Sequence, residues 1–544
     1  MAEDDNVLAE IDGLVVNFYT YQGVVQAIEG VDLRILKGET LGLVGETGCG
    51  KSVTASAIMR LILSPPGKVE AGSVYFLEPP DIRAKRKAYE RQAQAWYEKL
   101  PEDQRRKMAA QFGIRFTGFL KRPKPIKAEE LAKLELPQKA PHKMVASYMY
   151  AQLKKVPKDD KATREALMKS YDLMPKSIKY MQKIRGKFIS MIFQEPTSAL
   201  NPVFTSGDQI AEVILQHRKP EMASKALKRI NKEIELLRAR KRPRKLRAVP
   251  LGDGKASPAV SADAEQIRVK CSVCEAEVEE NDTFCEACGA QFYSSPRWST
   301  RPLVLNTYKT ILQSVVKNPD AKQSLLRRVP LIRRYQKELY AEAFREAVRM
   351  LDVVRIPDPK GVATRYPFEL SGGMQQRVMI AIALACNPRL LIADEPTTAL
   401  DVTIQGQILK LMRDLKTEYG SSILLITHNL GVVAEMCDRV GVMYAGSMAE
   451  VGSAKDIFKR PLHPYTTGLM KSVPSVQMDA DKLFTIRGSV PNLIYPPPGC
   501  RFHPRCDFAR GYCTKVRPPL TEIEPGHFAA CHMVAKAEEY VHGS

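Results

Sequence analysis

Short apolar runs separated by Gly, Asn and Asp mark the first part of the chain. Residues 13–18 and 26–33 read as strands, and the unbroken apolar run 40–44 reads as a buried one. A helix is expected over 53–59 and a further strand over 72–77. From about 79 to 185 the sequence becomes rich in Lys, Arg, Ala, Gln and Pro, with helical stretches expected at 84–99 and 161–173. A strand pattern returns at 188–193. A second change begins near Arg218, where a basic helix runs to about 240. A Pro/Gly/Ser/Ala-rich linker (249–264), a cysteine module (271–288) and amphipathic helix up to about 340 follow. Beyond it, helix is expected over 340–354, after Ser371, over 402–419 and over 430–437. Strands are expected at 389–393, 422–426 and within 440–448. Strand–helix alternation predicts a parallel α/β sheet. A chain of 544 residues exceeds one compact core. The pattern therefore predicts one α/β domain with two long insertions and a C-terminal extension, and no internal repeat.

Charge sharpens that division. The formal net charge is +21. Residues 81–187 hold 28 Lys/Arg against 12 Asp/Glu, and residues 218–247 hold 13 against 3, so the remainder is slightly acidic. Such segments suit nucleic acid, anionic lipid or an acidic partner, or form a solvated Lys-rich face. No run of 18 apolar residues exists, so no membrane span is expected. The acidic N-terminus lacks the apolar core of a signal peptide, and the chain is expected in the cytosol. There its eleven cysteines suggest metal sites or buried thiols before disulfides.

The chemistry centres on Gly45-Glu46-Thr47-Gly48-Cys49-Gly50-Lys51-Ser52, which lies between a strand and a helix beginning at Val53. G-x-x-x-x-G-K-[ST] in that setting is a phosphate-binding loop. Its backbone N–H groups and the helix N-terminus hold phosphate, Lys51 reaches the β/γ-phosphates, and Ser52 ligates Mg²⁺. The run 389–393 leads into Asp394 and Glu395. Asp394 suits a Mg²⁺ ligand, and Glu395 can polarise an attacking water. Ser371-Gly372-Gly373, opening a helix, makes a second anion-binding N-terminus.

Leu370-Ser371-Gly372-Gly373-Met374-Gln375-Gln376-Arg377 followed by Ala393-Asp394-Glu395-Pro396-Thr397-Thr398-Ala399-Leu400-Asp401 resembles the nucleotide-binding domain of ABC ATPases. The resemblance implies a P-loop NTPase with an antiparallel β subdomain and an α-helical subdomain. It implies a head-to-tail dimer in which Ser371, Gly372, Gly373, Gln375 and Asp401 meet the ATP of the other subunit. Gln194 matches the glutamine that senses Mg²⁺, and His428 the histidine at the γ-phosphate. Phe18, with Tyr19 as the alternative, matches the aromatic that stacks on adenine. The stretches 194–202, 463–474 and 498–506 are similar to oligopeptide and dipeptide ABC importers, whereas the insertions are not.

Two cysteine groups stand apart. Cys271-x₂-Cys274 and Cys285-x₂-Cys288 match a structural zinc ribbon holding Zn²⁺. Cys500, Cys506, Cys513 and Cys531 lack short knuckles, and four thiolates there suit an Fe–S cluster as well as zinc. The resembling importer subunits imply a [4Fe–4S] cluster. A zinc site and plain buried thiols remain open.

The expected organisation is an ATPase core at 1–78, 186–217 and 340–460. Basic insertions occupy 79–185 and 218–339, and a cysteine-bearing extension occupies 461–544. The resemblance implies an ATPase that energises import of oligopeptides or dipeptides, or alternatively of sugars or metals. It implies Mg²⁺–ATP as cofactor and a peripheral position on the cytoplasmic face of the cell membrane. Expected partners are a paralogous ATPase, two permease subunits and, indirectly, an extracytoplasmic solute-binding protein. No direct solute contact is expected. A nucleic-acid-directed ABC ATPase is the second reading, weighed down by the single cassette.

Overall fold

The computed structural model describes residues 6–105, 171–240, 268–270, 277–279, 301–317, 335–398, 402–472 and 486–534. Its contacts divide the chain into two units, Pro202–Glu369 and the remainder on either side of it.

The larger unit starts with β1 (Val7–Thr20) and β2 (Gly23–Leu36), then β3 (Thr40–Val44), helix α1 (Lys51–Ile58) and β4 (Gly67–Phe76). β2, β1 and β4 form a three-stranded antiparallel sheet. Helix α2 (Pro80–Glu98), helix α3 (Ile178–Ile184) and β5 (Ile189–Ile192) follow. Residues 171–173, expected as the end of a helix, instead lie along β4. Phe76 N–H donates to the Tyr171 carbonyl and Leu173 N–H to the Val74 carbonyl. The rest of the expected helix, 161–170, lies outside the described residues.

Helix α2 belongs to this unit through its charges. The Arg86 guanidinium bridges Glu10 (2.5 Å) and Glu78 (2.9 Å), all three side chains being buried, and lies 3.6 Å over the Tyr75 ring. Burial works against an ionised Glu10, yet Arg86, Lys87 and Arg34 hold its carboxyl down at about 2. Part of the positive charge of the first insertion therefore faces the protein interior.

The smaller unit is helical: α4 (Ser206–His217), α5 (Lys219–Arg240), α6 (Arg301–Lys317) and α7 (Tyr335–Val353), with the short ladder β6 (Arg268–Lys270)–β7 (Glu277–Glu279). Met222, Ala223, Ala226, Ile230 and Ile234 recur at helical spacing and are buried on one face of α5. The basic residues bracketing that face pair with α7. Lys225 meets Glu346 at 2.9 Å and Arg229 meets Glu338 at 2.7 Å, while Arg218 reaches Glu346 at 3.1 Å. The described part of the second basic insertion thus packs as a helix bundle in which Arg218, Lys225 and Arg229 are paired with glutamates of α7.

The chain then returns to the larger unit with α8 (Gly372–Leu384), β8 (Leu390–Asp394), α9 (Val402–Tyr419), β9 (Ser422–Ile426), α10 (Leu430–Met436), β10 (Arg439–Tyr444) and β11 (Ser447–Ser453). Helix α11 (Pro464–Lys471) and the pair β12 (Thr521–Glu524) and β13 (His527–Ala529) complete it. The main sheet has the order β12-β13-β11-β10-β3-β9-β8-β5. From β10 to β5 every pairing is parallel, and β11, β13 and β12 add antiparallel strands at one edge. β3, β5, β8 and β9 are buried throughout, as a parallel sheet covered on both faces requires. Among the described residues no helix is long and apolar enough to cross a membrane.

Candidate functional site

Because β3, β9, β8 and β5 run parallel side by side, the loops leaving their C-terminal ends emerge along one edge, where open α/β sheets bind ligands. Each of those loops carries one of the expected residues: Gly45–Ser52 after β3, His428 after β9, Glu395 after β8 and Gln194 after β5.

The loop after β3 needs its glycines. Gly45 and Gly50 have φ of 151° and 103°, and a Cβ on Gly45 would lie 2.2 Å from the Met443 carbonyl oxygen. Lys51 is buried at the start of α1 and folds back over the loop. Its Nζ donates to the carbonyls of Gly45 (2.8 Å) and Glu46 (3.1 Å). Thr47 and Gly48 are exposed, the Cys49 side chain is buried, and Val53 packs against the core. The Ser52 hydroxyl donates to Asp394 Oδ1 at 3.0 Å, joining residues 342 positions apart. Burial, helped by the Glu395 charge, raises the Asp394 carboxyl pKa, while Ser52 and Lys51 oppose that rise. The hydroxyl and carboxylate expected to hold Mg²⁺ are thus adjacent, on two oxygen donors of the kind that ion takes.

Glu395 has a positive φ of 46°, sparsely populated for a side-chain-bearing residue. Its N–H donates to the Ile426 carbonyl at 2.8 Å, which ties the turn after β8 to the end of β9. Glu395 Oε2 accepts from Gln194 Nε2 (2.8 Å) and Thr398 Oγ1 (3.0 Å), and Oε1 meets His428 Nδ1 at 3.2 Å. Three loops aim polar groups at one carboxylate. Such an anchored carboxylate is suited to orienting and polarising a water. Of the sequence signals, only its place three residues past Glu395 hints at Thr398.

Other expectations fare differently. Phe18 is half-buried and packs against the core, and the Tyr19 hydroxyl donates to Glu70 at 2.5 Å. Tyr21 is 97% exposed in the turn between β1 and β2. Residues 493–495 border that turn: Leu493 accepts from Gln26 N–H at 2.9 Å, and Tyr495 is also exposed. Ser371 and Gly372 are exposed at the start of α8, with Gly373 half-buried beside them. Gln375, grouped with them by resemblance, is buried and donates to the Leu370 carbonyl at 3.1 Å. One turn into the helix, its side chain is buried. Asp401 and the ribbon cysteines Cys271, Cys274, Cys285 and Cys288 lie outside the described residues.

Cys500, Cys506, Cys513 and Cys531 are free thiols in one loop-rich segment. Burial, with Cys531, Cys513 and Cys506 nearby, pushes the Cys500 thiol up to about 11. Among the described residues, however, no three His, Cys, Asp or Glu side chains are grouped closely enough to hold a metal ion. The four thiols supply the donor chemistry of a cluster without closing a cage.

The family model described as "ABC transporter" matches residues 28–248 and 273–398, and that described as "Oligopeptide/dipeptide transporter, C-terminal region" matches 449–513. The dipeptide transport ATP-binding protein DppD of Bacillus subtilis is 31% identical over 97% of this chain and 96% of its own length. The oligopeptide transport ATP-binding protein AppD of the same organism is 31% identical over 97% of each chain. OppD of Salmonella typhimurium is 53% identical over 191 residues, 35% of this chain and 57% of that protein. The chain belongs to the ABC transporter family, as an ATPase whose C-terminal region is of the oligopeptide/dipeptide transporter type.

Proposed function

We propose that this ATPase energises import of oligopeptides or dipeptides through separate membrane permease subunits. The observation that carries it is the meeting of Ser52 with Asp394, and of Gln194 and His428 with Glu395, at the end of a parallel sheet. That site comes in a chain whose C-terminal region is of the peptide-transporter type.

In this reading the Gly45–Ser52 backbone and Lys51 hold the β/γ-phosphates. Ser52 and Asp394 hold Mg²⁺, with Gln194 beside them. Glu395 polarises the attacking water, and His428 contacts the γ-phosphate and steadies Glu395. Tyr21, in place of Phe18, stacks on the adenine. Ser371 and the backbone of Gly372 and Gly373 close over the ATP of a second subunit, a paralogous ATPase. The protein sits peripherally on the cytoplasmic face of the membrane, and the ATPase itself does not touch the solute. Cys500, Cys506, Cys513 and Cys531 are the donor set for a [4Fe–4S] cluster of structural role, and the cysteines at 271–288 for zinc. Iron and acid-labile sulfide in anaerobically purified protein support the cluster; zinc or no metal at those thiols removes it.

The test of function is reconstitution. The chain is co-purified with its permease and ATPase partners and placed in vesicles with the solute-binding protein. ATP-dependent uptake of labelled di- or oligopeptides is expected. Uptake of a sugar or metal ion in their place, or association with nucleic acid and no permease, overturns the proposal.

A further inference from the structure

The phosphate loop is gripped from outside by the C-terminal extension, at Glu46. Arg505 Nη1 and Nη2 meet the two Glu46 carboxylate oxygens at 2.7 Å and 3.0 Å, a fork-on-fork pair across 459 residues. The Tyr465 hydroxyl accepts from Glu46 N–H at 2.9 Å. The Glu46 carbonyl accepts from Lys51 Nζ. Carboxylate, N–H and carbonyl of one loop residue are therefore all engaged, two of them by residues far downstream.

The grip is built firmly. The Arg505 side chain is only 6% exposed. Its Nε donates to the Arg487 carbonyl at 2.8 Å, and Nη1 also reaches the Tyr444 hydroxyl at 3.3 Å. Tyr444, Tyr465 and Phe502 pack ring against ring beneath it, with centroids 4.6–5.4 Å apart. Arg505 closes a short 3₁₀ turn, His503–Arg505, and the next residue is Cys506.

We infer that Arg505 is a positioning residue for the ATP site, through which the cysteine-bearing segment sets the conformation of the phosphate loop. The inference rests on the reading of Gly45–Ser52 as that site. By fixing Glu46, Arg505 and Tyr465 hold the first turn of the loop and, through the Glu46 carbonyl, the resting place of the Lys51 ammonium. Loosening the pair leaves the strand, the helix and the reacting groups in place but lets the loop sample shapes that do not fit the phosphates. ATP affinity falls more than turnover of bound ATP. The segment holding the four thiols thereby becomes part of the nucleotide site without touching the nucleotide.

The test is a mutant cycle on the full chain, read by titration with a fluorescent ATP analogue and by the KM-against-kcat split for ATP. Arg505→Gln and Glu46→Gln are each expected to raise Kd and KM about ten-fold, roughly 1.4 kcal/mol, with kcat changed much less. The double variant is expected to be no worse than the poorer single one, because both remove the same pair. Arg505→Lys keeps the charge but not the fork, and recovers only part of the loss. Tyr465→Phe, which keeps the packed ring, is expected to raise KM by a smaller factor and guards against an Arg505 variant that misfolds. Unchanged Kd in a folded Arg505→Gln, or additive effects in the double variant, overturns the inference. Loss of peptide uptake with the cycle intact overturns the import reading alone.

Discussion

Replacing Glu395 by Gln keeps a side chain of the same shape among Gln194, Thr398 and His428 but removes the charge that, in the proposed function, polarises the attacking water. ATP hydrolysis by Glu395→Gln is expected to fall about 10²–10⁴-fold, the usual worth of a general base. ATP affinity should hold within a few-fold; phosphate release and equilibrium titration measure the two separately. Tyr21 and Phe18 separate in the same way. A base stacked on an aromatic ring is worth about 1–3 kcal/mol, so Tyr21→Ala should weaken ATP binding roughly 5–150-fold without lowering the melting temperature. Phe18→Ala should do the reverse, since that ring packs against the core. The resemblance pointed to Phe18, with Tyr19 as the alternative; Tyr21 stands out only once the turn after β1 leaves it exposed.

At the scale of an element, α2 shows how composition misleads. Its Lys- and Arg-rich sequence reads as a solvated or docking face, yet Arg86 is buried between Glu10 and Glu78. Removing one partner of a buried ion pair typically costs about 3–5 kcal/mol. Arg86→Ala should lower the unfolding midpoint accordingly and expose α2 to protease. The pH dependence has a definite sign. Glu10 ionises at about 2 in the folded chain against an ordinary 4.5. Its stabilisation is therefore complete above about pH 4.5 and disappears as pH falls toward 2. Denaturation curves of the natural chain and Glu10→Gln should differ most above that range and converge in acid. The strands and helices of the main sheet were legible because apolar runs and helical periodicity are local. Residues 171–173 were not, because their pairing with β4 is made across nearly a hundred residues.

For the whole molecule, Ser371 and Gly372 are exposed at the start of α8, where the proposed function has them close over an ATP held by another subunit. With ATP and Mg²⁺, Glu395→Gln is expected to sediment as a dimer, with itself or with its paralogous partner. Adding Ser371→Arg should return it to monomer while each chain still binds ATP.

The sequence alone marked the ATPase core: phosphate loop, acidic strand end, signature and histidine loop are continuous motifs, each legible from residues a few positions apart. It also placed the four C-terminal cysteines in one segment, though not what they hold. Only the tertiary structure decided that Gln375 is buried, that Tyr21 is exposed, that Lys225 and Arg229 of α5 pair with glutamates of α7, and that Arg505 closes on Glu46. The last two rest on pairings between residues more than a hundred positions apart. Spacing along one chain carries no record of them, and burial and charge complementarity appear only once the sheet has brought the strands together.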